Sequence, residues 1–139
     1  MRLRNCAGGI VFHEDKVLLI RNDKGDWVFP KGVIREGNQA TVVAVQRVKH
    51  ETGVDAVILA PAGETYYEFF SVSRRLPICN RISWFIMKAE NEECHINKEE
   101  GFQDGGFFPV NDAAEMITYS QDKALMRLSY EKFVSIEEE

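Results

Sequence analysis

The chain lacks the sequence features that define several large classes of protein. Its three cysteines, Cys6, Cys79 and Cys94, are an odd number and include no Cys-x-x-Cys pair, which argues against a disulfide framework and a cysteine zinc site. No apolar run approaches the ~18–20 residues that cross a bilayer, and the amino terminus has no apolar secretory stretch. We therefore expect a soluble, cytoplasmic protein with ordinary thiols and no membrane partner.

The chain also lacks an excess of basic charge. Its formal net charge is -5, so it has no basic footprint of the kind that a duplex-binding domain carries. Part of this acidity comes from the last three residues, all glutamates, which we interpret as a solvated end. We therefore expect no binding to duplex nucleic acid.

The composition is that of an ordinary globular protein. The 139 residues are 45% hydrophobic and 28% charged, a balance that excludes a disordered chain. A chain of this length buries roughly two-thirds of its unfolded surface, enough for one stable core without disulfides. We expect a single domain over residues 1–139.

The hydrophobic pattern predicts strands on both sides of one central helix. Asn38 is a suitable N-cap for a helix over residues 39–52, and Gly53 is a typical residue to end it. Ser120 is a candidate cap for a second helix near the carboxyl terminus. Apolar or β-branched runs predict strands over residues 4–12, 17–20, 27–29, 56–60, 65–71, 82–89 and 107–110, with a hairpin turn at 73–75. This order predicts an α/β layered domain with a mixed sheet.

The segment 27–54 reads WVFPKG, then a glycine-containing loop, then a helix that ends in ETGV. It closely resembles the Nudix hydrolase signature, G-x5-E-x7-R-E-U-x-E-E-x-G-U with U a bulky aliphatic residue, placed over residues 32–54 in unbroken register. The order of elements on either side is also similar to that family. The resemblance implies the Nudix α/β/α sandwich, a mixed sheet between the signature helix and the C-terminal helix.

The signature is only partly matched. The positions that agree are Gly32, Val48, Glu51, Gly53 and Val54. Four polar positions differ, because Asn38, Gln46, Arg47 and His50 stand where the family has Glu, Arg, Glu and Glu. The formal charge of the five polar signature positions thus changes from -3 to 0. In the family these carboxylates hold Mg²⁺ or Mn²⁺ against a pyrophosphate, and Glu51 alone should hold such a cation poorly.

Three residues of this helix are candidate site residues with open alternatives. Glu51 is either a remnant catalytic carboxylate and weak metal ligand or a structural carboxylate that orients the loop. Arg47 is either a surface charge or a direct phosphate contact, since it lies on the face that the family turns to pyrophosphate. His50 is either a solvated residue or a weak contact to ligand or metal.

Five further residues are candidates outside the helix. Lys31, in Phe-Pro-Lys-Gly, resembles the form found in hydrolases of dinucleoside and diphosphoinositol polyphosphates. Tyr67 lies on a strand that lines the cleft in the family and could stack on a base. Arg74 and Arg75 form a hairpin tip that could grip a polyphosphate, and Glu100 lies in a loop where relatives place an extra metal-binding or base carboxylate.

Three functions remain open at the level of sequence. The favoured hypothesis is a binder of nucleotides or other small polyphosphates that has lost most pyrophosphohydrolase activity. The second is an active hydrolase with a reduced Mg²⁺ or Mn²⁺ site built from Glu51, Glu36 and Glu100. The third is a structural or protein-interaction module. The expected cofactor is Mg²⁺ or Mn²⁺ if the protein is an active hydrolase, with no cofactor as the alternative for a protein that only binds its ligand.

Overall fold

A computed structural model describes residues 1–139, and its strands form one mixed sheet with helices on both faces. The strands are β1 (Arg2–His13), β2 (Lys16–Arg21), β3 (Trp27–Val28), β4 (Lys31–Val33), β5 (Ala56–Ser71), β6 (Leu76–Ala89) and β7 (Asp104–Pro109). The α-helices are α1 (Ala40–Thr52), α2 (Val110–Met116) and α3 (Ser120–Glu137), and a 3₁₀ turn covers Lys98–Glu100.

Strand β1 is the centre of the sheet. The strand order is β3-β2-β1-β6-β5, with β4 paired to β1 and β7 paired to β2. Strands β1 and β6 run parallel, from the pair Arg2 and Ile78 to the pair Phe12 and Lys88. The other pairings are antiparallel, so the predicted mixed sheet is confirmed.

Side chains of β1 alternate between two buried layers, as successive residues of a strand point to opposite faces. Ile10 and Phe12 belong to the core cluster that includes Phe133 of α3. Ala7 and Val11 belong to the second cluster, which includes residues of α1. The sheet therefore lies between α1 and α3, which confirms the predicted three-layer arrangement.

The longest strands form one hairpin. The two strands predicted over 56–60 and 65–71 are a single strand, β5, whose pairing with β6 shifts between Ile58 and Ala60 and between Pro61 and Gly63. The predicted turn at 73–75 is confirmed. Arg75 in this turn has a φ of 55°.

The starts of the helices differ from prediction. Helix α1 begins at Ala40, and Gln39 at the N-cap position makes no side-chain capping bond, so the predicted Asn38 cap is wrong. Tyr119, which likewise makes no capping bond, precedes α3, and Ser120 is already helical. Gly53 ends α1 as predicted, with a φ of 74°. The sequence patterns missed α2, and no helix is long and apolar enough to cross a membrane.

Candidate functional site

Helix α1 places the signature residues above strand β4. Ala44 and Val48 are fully buried against the sheet, and this packing turns Arg47 toward Gly32. A Cβ atom at position 32 would lie 2.5 Å from Cδ of Arg47, closer than real contacts allow. Gly32 therefore provides the space in which the arginine side chain lies across β4.

Arg47 and Glu51 form an ion pair one helical turn apart. Nη2 and Nε of Arg47 donate hydrogen bonds of 2.7 and 3.0 Å to Oε2 of Glu51. Glu51 is only 2% exposed, and this burial raises its pKa, although the Arg47 guanidinium counteracts the shift. The structure therefore gives the carboxylate an internal cation as its partner.

His50 and Glu100 form a second pair beside the first. Nε2 of His50 lies 2.8 Å from Oε1 of Glu100, with both side chains about half exposed. The histidine lowers the pKa of Glu100 through this contact. Asn97 also donates from its amide to the His50 carbonyl, over 3.1 Å. These contacts bring the loop with the 3₁₀ turn to the end of α1.

The oxygen donors of this region are therefore already engaged. No group of three or more His, Cys, Asp and Glu side chains is arranged so that it could hold a metal ion. Glu36, the remaining candidate, is exposed in the turn that follows β4. A hard cation such as Mg²⁺ needs several oxygen ligands, and this donor set does not fit one.

A groove beside the Arg47–Glu51 pair is lined by four basic side chains, and we call it the basic groove. Its lining residues are Arg4, Lys31, Arg35 and Arg47, with Cys6, Gly32, Val33 and Asn80. No carboxylate is among them. Since the whole chain has a net charge of -5, this local concentration of positive charge makes the groove a candidate site for an anion.

Arg4 is held rigidly at the edge of the basic groove. Its Nε donates a hydrogen bond of 2.8 Å to Oδ1 of Asn80, and its guanidinium lies 5.4 Å from the centroid of the Phe69 ring. Sequence analysis missed Arg4 and Arg35. Arg4 lies 43 positions from Arg47 in the chain, so only the pairing of β1 with β4 and β6 brings it to the groove.

A more enclosed cavity adjoins the basic groove at Lys31, and we call it the aromatic cleft. Its lining residues are Phe29, Tyr67, Trp84 and Tyr119, with Asn22, Lys24, Asp26, Val28, Lys31, Thr65, Ile82, Gln121 and Asp122. Phe29 and Trp84 are almost completely buried, so the half-buried rings of Tyr67 and Tyr119 offer the surface on which a planar ligand could stack. The cleft thus combines aromatic surface with a few polar groups, as small-molecule sites commonly do.

Two pairs of polar groups in the aromatic cleft are bound to each other. Nε1 of Trp84 donates to Oγ1 of Thr65 over 2.8 Å. The Tyr119 hydroxyl donates to Oδ2 of Asp26 over 2.7 Å, and this bond raises the pKa of Tyr119 to about 12. These bonds occupy the Trp84 indole and the Tyr119 hydroxyl as donors.

Asp122 is a second carboxylate of the cleft, in addition to Asp26. It is 9% exposed, and no hydrogen bond from the protein reaches its carboxylate; burial raises its pKa to about 6, with Lys31 acting in the opposite direction. Sequence analysis missed this residue, because an acidic side chain in the first turn of a helix is ordinarily explained by the helix dipole.

The remaining candidate residues from the sequence lie in several different parts of the structure. Tyr67 lines the aromatic cleft, and Lys31 lines both the cleft and the basic groove. Arg74 and Arg75 are exposed in the turn between β5 and β6 and line neither. Helical spacing predicts one shared face for positions 46, 47, 50 and 51, but Gln46 faces the other side of α1, toward residues 56–58 of β5, so that prediction is wrong for Gln46.

Comparison with known proteins identifies related chains. The family model described as NUDIX domain matches residues 2–128. Nudix hydrolase 10 from Arabidopsis thaliana is 29% identical over 89 residues, which cover 62% of this chain and 32% of that protein. The chain therefore corresponds to about a third of the length of this curated relative.

Solved structures share the fold at low sequence identity. An Ap4A hydrolase from C. elegans matches with a TM-score of 0.74 and 15% identity, covering 95% of this chain and 98% of that chain. The E. coli dihydroneopterin triphosphate pyrophosphohydrolase gives a TM-score of 0.71 and 16% identity, covering 91% and 95%. An ADP-ribose pyrophosphatase from Streptococcus suis gives 0.69 and 19%, covering 93% and 90%.

The Arg47–Glu51 pair should contribute measurably to stability. Arg47→Ala leaves a buried carboxylate without its partner, so we expect the free energy of unfolding to fall by about 2–4 kcal/mol, somewhat less than for a fully buried pair. Urea unfolding measures this loss. Lys49→Ala is the matched control, because it removes an exposed cation of the same helix that bonds an exposed Asp55 and should cost at most about 0.5 kcal/mol. Equal effects of the two substitutions would contradict the assignment.

The buried Asp122 carboxylate should make stability depend on pH. Its folded-state pKa of about 6 lies above the usual value of about 4 for an aspartate in water, so the folded protein binds the proton more tightly and loses stability as pH rises from about 4 to about 6. Asp122→Asn removes this loss and should stabilise the protein by up to about 3 kcal/mol at pH 8, but little near pH 4.

Unfolding at the two pH values, with Glu131→Gln as the exposed acidic control on α3, measures the effect of Asp122. The other charged groups facing it in the cleft are Lys31, Lys24 and Asp26, and the variant leaves them in place. A gain in stability of the same size at pH 4 and pH 8 would show that titration of Asp122 is not its cause.

Proposed function

This chain belongs to the Nudix family, and from that premise we propose that it binds a nucleotide or another small polyphosphate with little or no hydrolysis. The phosphates occupy the basic groove, and the rest of the ligand extends into the aromatic cleft. The observation that carries this proposal is the ion pair of Arg47 with Glu51, which puts an internal cation among the signature positions.

The charges of the basic groove support a phosphate ligand. Lys31 and Arg35 line it without an acidic lining residue, Arg4 lies at its edge, and Arg47 adds a guanidinium whose charge Glu51 partly offsets. A cation about 4 Å from a phosphate oxygen contributes on the order of 4 kcal/mol at an effective dielectric of 20, before the cost of desolvation. Several such contacts can supply the positive charge that a metal ion would otherwise provide.

The fit to a divalent cation is poor. Nudix hydrolases generally use Mg²⁺ or Mn²⁺, which require several oxygen ligands. Here Glu51 accepts two hydrogen bonds from Arg47, and Glu100 is paired with His50. We therefore expect ligand binding to proceed without a divalent cation.

The relatives with a similar fold are consistent with the ligand class. Three structural neighbours are an Ap4A hydrolase, a dihydroneopterin triphosphate pyrophosphohydrolase and an ADP-ribose pyrophosphatase. The three compounds in these names are all small molecules with linked phosphates. We infer that a small molecule of this general kind binds here. Because the chain belongs to the Nudix family, an active hydrolase is the alternative to a protein that only binds its ligand. An assay of pyrophosphate release distinguishes these two functions.

Binding in the absence of metal tests the proposed function. We expect calorimetry in EDTA to detect binding of nucleoside triphosphates or dinucleoside tetraphosphates. Lys31→Ala and Arg35→Ala should each weaken it by roughly 1–3 kcal/mol, the range for a lost charge-assisted hydrogen bond.

The binding measurements need one control variant and one activity assay. Lys49→Ala is the control, because Lys49 is an exposed cation outside the groove. Rapid pyrophosphate release from the same compounds with Mg²⁺ or Mn²⁺ would instead establish the active hydrolase.

Restoring the signature should restore a metal site. The fourfold change Asn38→Glu, Gln46→Arg, Arg47→Glu and His50→Glu removes the internal cation and returns carboxylates to three signature positions, two of them on α1 near Glu51, while Gln46→Arg alters the other side of the helix. We expect new Mg²⁺ binding and Mg²⁺-dependent cleavage well above the wild type, whereas single changes should do much less because such groups act as a unit. A folded variant without Mg²⁺ affinity would contradict this expectation.

A further inference from the structure

The aromatic cleft contains one buried carboxylate that the protein leaves without a hydrogen-bond partner. Asp122 is more than nine-tenths buried and lines the cleft together with Lys31 and Tyr67. No fully buried side-chain oxygen in the protein lacks a hydrogen-bond partner, so the unbonded carboxylate oxygens of Asp122 are open to the cleft. A ligand in the cleft can therefore donate hydrogen bonds to this carboxylate.

The other polar groups near Asp122 do not compete for this role. The Tyr119 hydroxyl is bound to Asp26, and the Trp84 indole is bound to Thr65. Gln121, next to Asp122 in sequence, donates its side-chain amide to the carbonyl of Tyr66 over 3.0 Å. Asp122 is thus the carboxylate of the cleft that accepts no hydrogen bond from the protein, whereas Asp26 already accepts one through Oδ2.

The chemistry of a carboxylate restricts what the ligand can present. An ionised carboxylate only accepts hydrogen bonds, through two oxygens about as far apart as two adjacent N–H groups on a heterocycle. A 2-amino-4-oxo pyrimidine ring, which guanine and pterins share, has a ring N–H beside an amino group and satisfies both oxygens. The corresponding edge of adenine offers one donor and one acceptor and satisfies only one.

The neighbouring rings favour the same kind of ligand. Tyr67 and Tyr119, the half-buried rings of the cleft, lie 6.1 Å apart between ring centroids, whereas Trp84 and Phe29 are buried in the core. Aromatic side chains of this kind stack on flat heterocycles while a polar group reads the ring edge. Lys31 lies where the cleft meets the basic groove, so a ring in the cleft and phosphates in the groove can belong to one molecule.

We propose that Asp122 selects ligands whose ring presents two adjacent N–H donors, as in guanine or a pterin, and rejects adenine-type rings. This inference rests on the proposed function, because the ring is bound together with phosphates in the basic groove. It specifies which class of heterocyclic ring the ligand carries, which neither the fold nor the basic groove determines.

The test compares ligands that differ at one edge. Calorimetry at pH 8, where the Asp122 carboxyl is ionised, measures the affinities of GTP, ITP, ATP, dihydroneopterin triphosphate and inorganic tripolyphosphate. ITP is the matched control for GTP, because it lacks only the amino group. We expect GTP or dihydroneopterin triphosphate to bind at least about tenfold more tightly than ITP and ATP, the effect of one lost hydrogen bond to a charged group. The comparison of these two ligands distinguishes a guanine from a pterin.

A variant then assigns the preference to Asp122. Asparagine offers one acceptor and one donor, so Asp122→Asn should lose the preference for GTP over ATP and bring the two affinities within about threefold. Glu131→Gln on the exposed face of α3 should keep the wild-type preference. Circular dichroism confirms folding, and the GTP and ITP comparison in the wild type stands even if the variant fails to fold.

The outcomes separate this inference from the proposed function. If tripolyphosphate and all the nucleotides fail to bind, the proposed function is wrong and the inference falls with it. If tripolyphosphate binds but GTP, ITP, ATP and the pterin have equal affinities, the phosphate site stands and the role of Asp122 is refuted. A preference that survives in Asp122→Asn would also overturn the assignment.

Discussion

The ion pair between Arg47 and Glu51 sets the electrostatic character of the region around the signature helix. Glu51 lies almost completely out of water, where an isolated carboxylate is strongly disfavoured. Arg47 resolves this problem locally, at a spacing of four residues on one helix. Because Gly32 has no side chain, the arginine can lie close against β4. The consequence is a cation among positions where the family signature has mainly carboxylates, and from this the proposed ligand class follows.

Lys31 connects the two parts of the site. It lies at the boundary of the basic groove and the aromatic cleft, and its charge acts on both Glu51 and Asp122. A phosphate chain would place its negative charge beside the four cations of the groove, while a ring in the cleft would meet aromatic faces and one carboxylate. The two ends of such a ligand therefore need opposite chemistry, and the structure provides each in a separate place.

The sequence allowed the fold to be predicted because its strands and central helix carry clear apolar patterns and because the signature register is unbroken. The same signature led to Arg47, Glu51 and Lys31. The ion pair of Arg47 with Glu51 was also within reach, since an i,i+4 spacing is visible in sequence. The pair of His50 with Glu100 was not, because 50 positions separate them. Asp122 was missed for a related reason, since its burial depends on how α3 packs against the sheet.

Two buried carboxylates on opposite sides of Lys31 have opposite environments. Glu51 has an arginine of its own helix and is neutralised inside the protein, whereas Asp122 has no hydrogen-bonding partner. An unpaired buried carboxylate lowers stability, and that loss is recovered only when something donates to it. A ligand that binds the folded state alone stabilises it in proportion to its affinity. The cost of burying Asp122 is therefore offset when a suitable ring enters the cleft, so the same carboxylate that weakens the free protein can discriminate among its ligands.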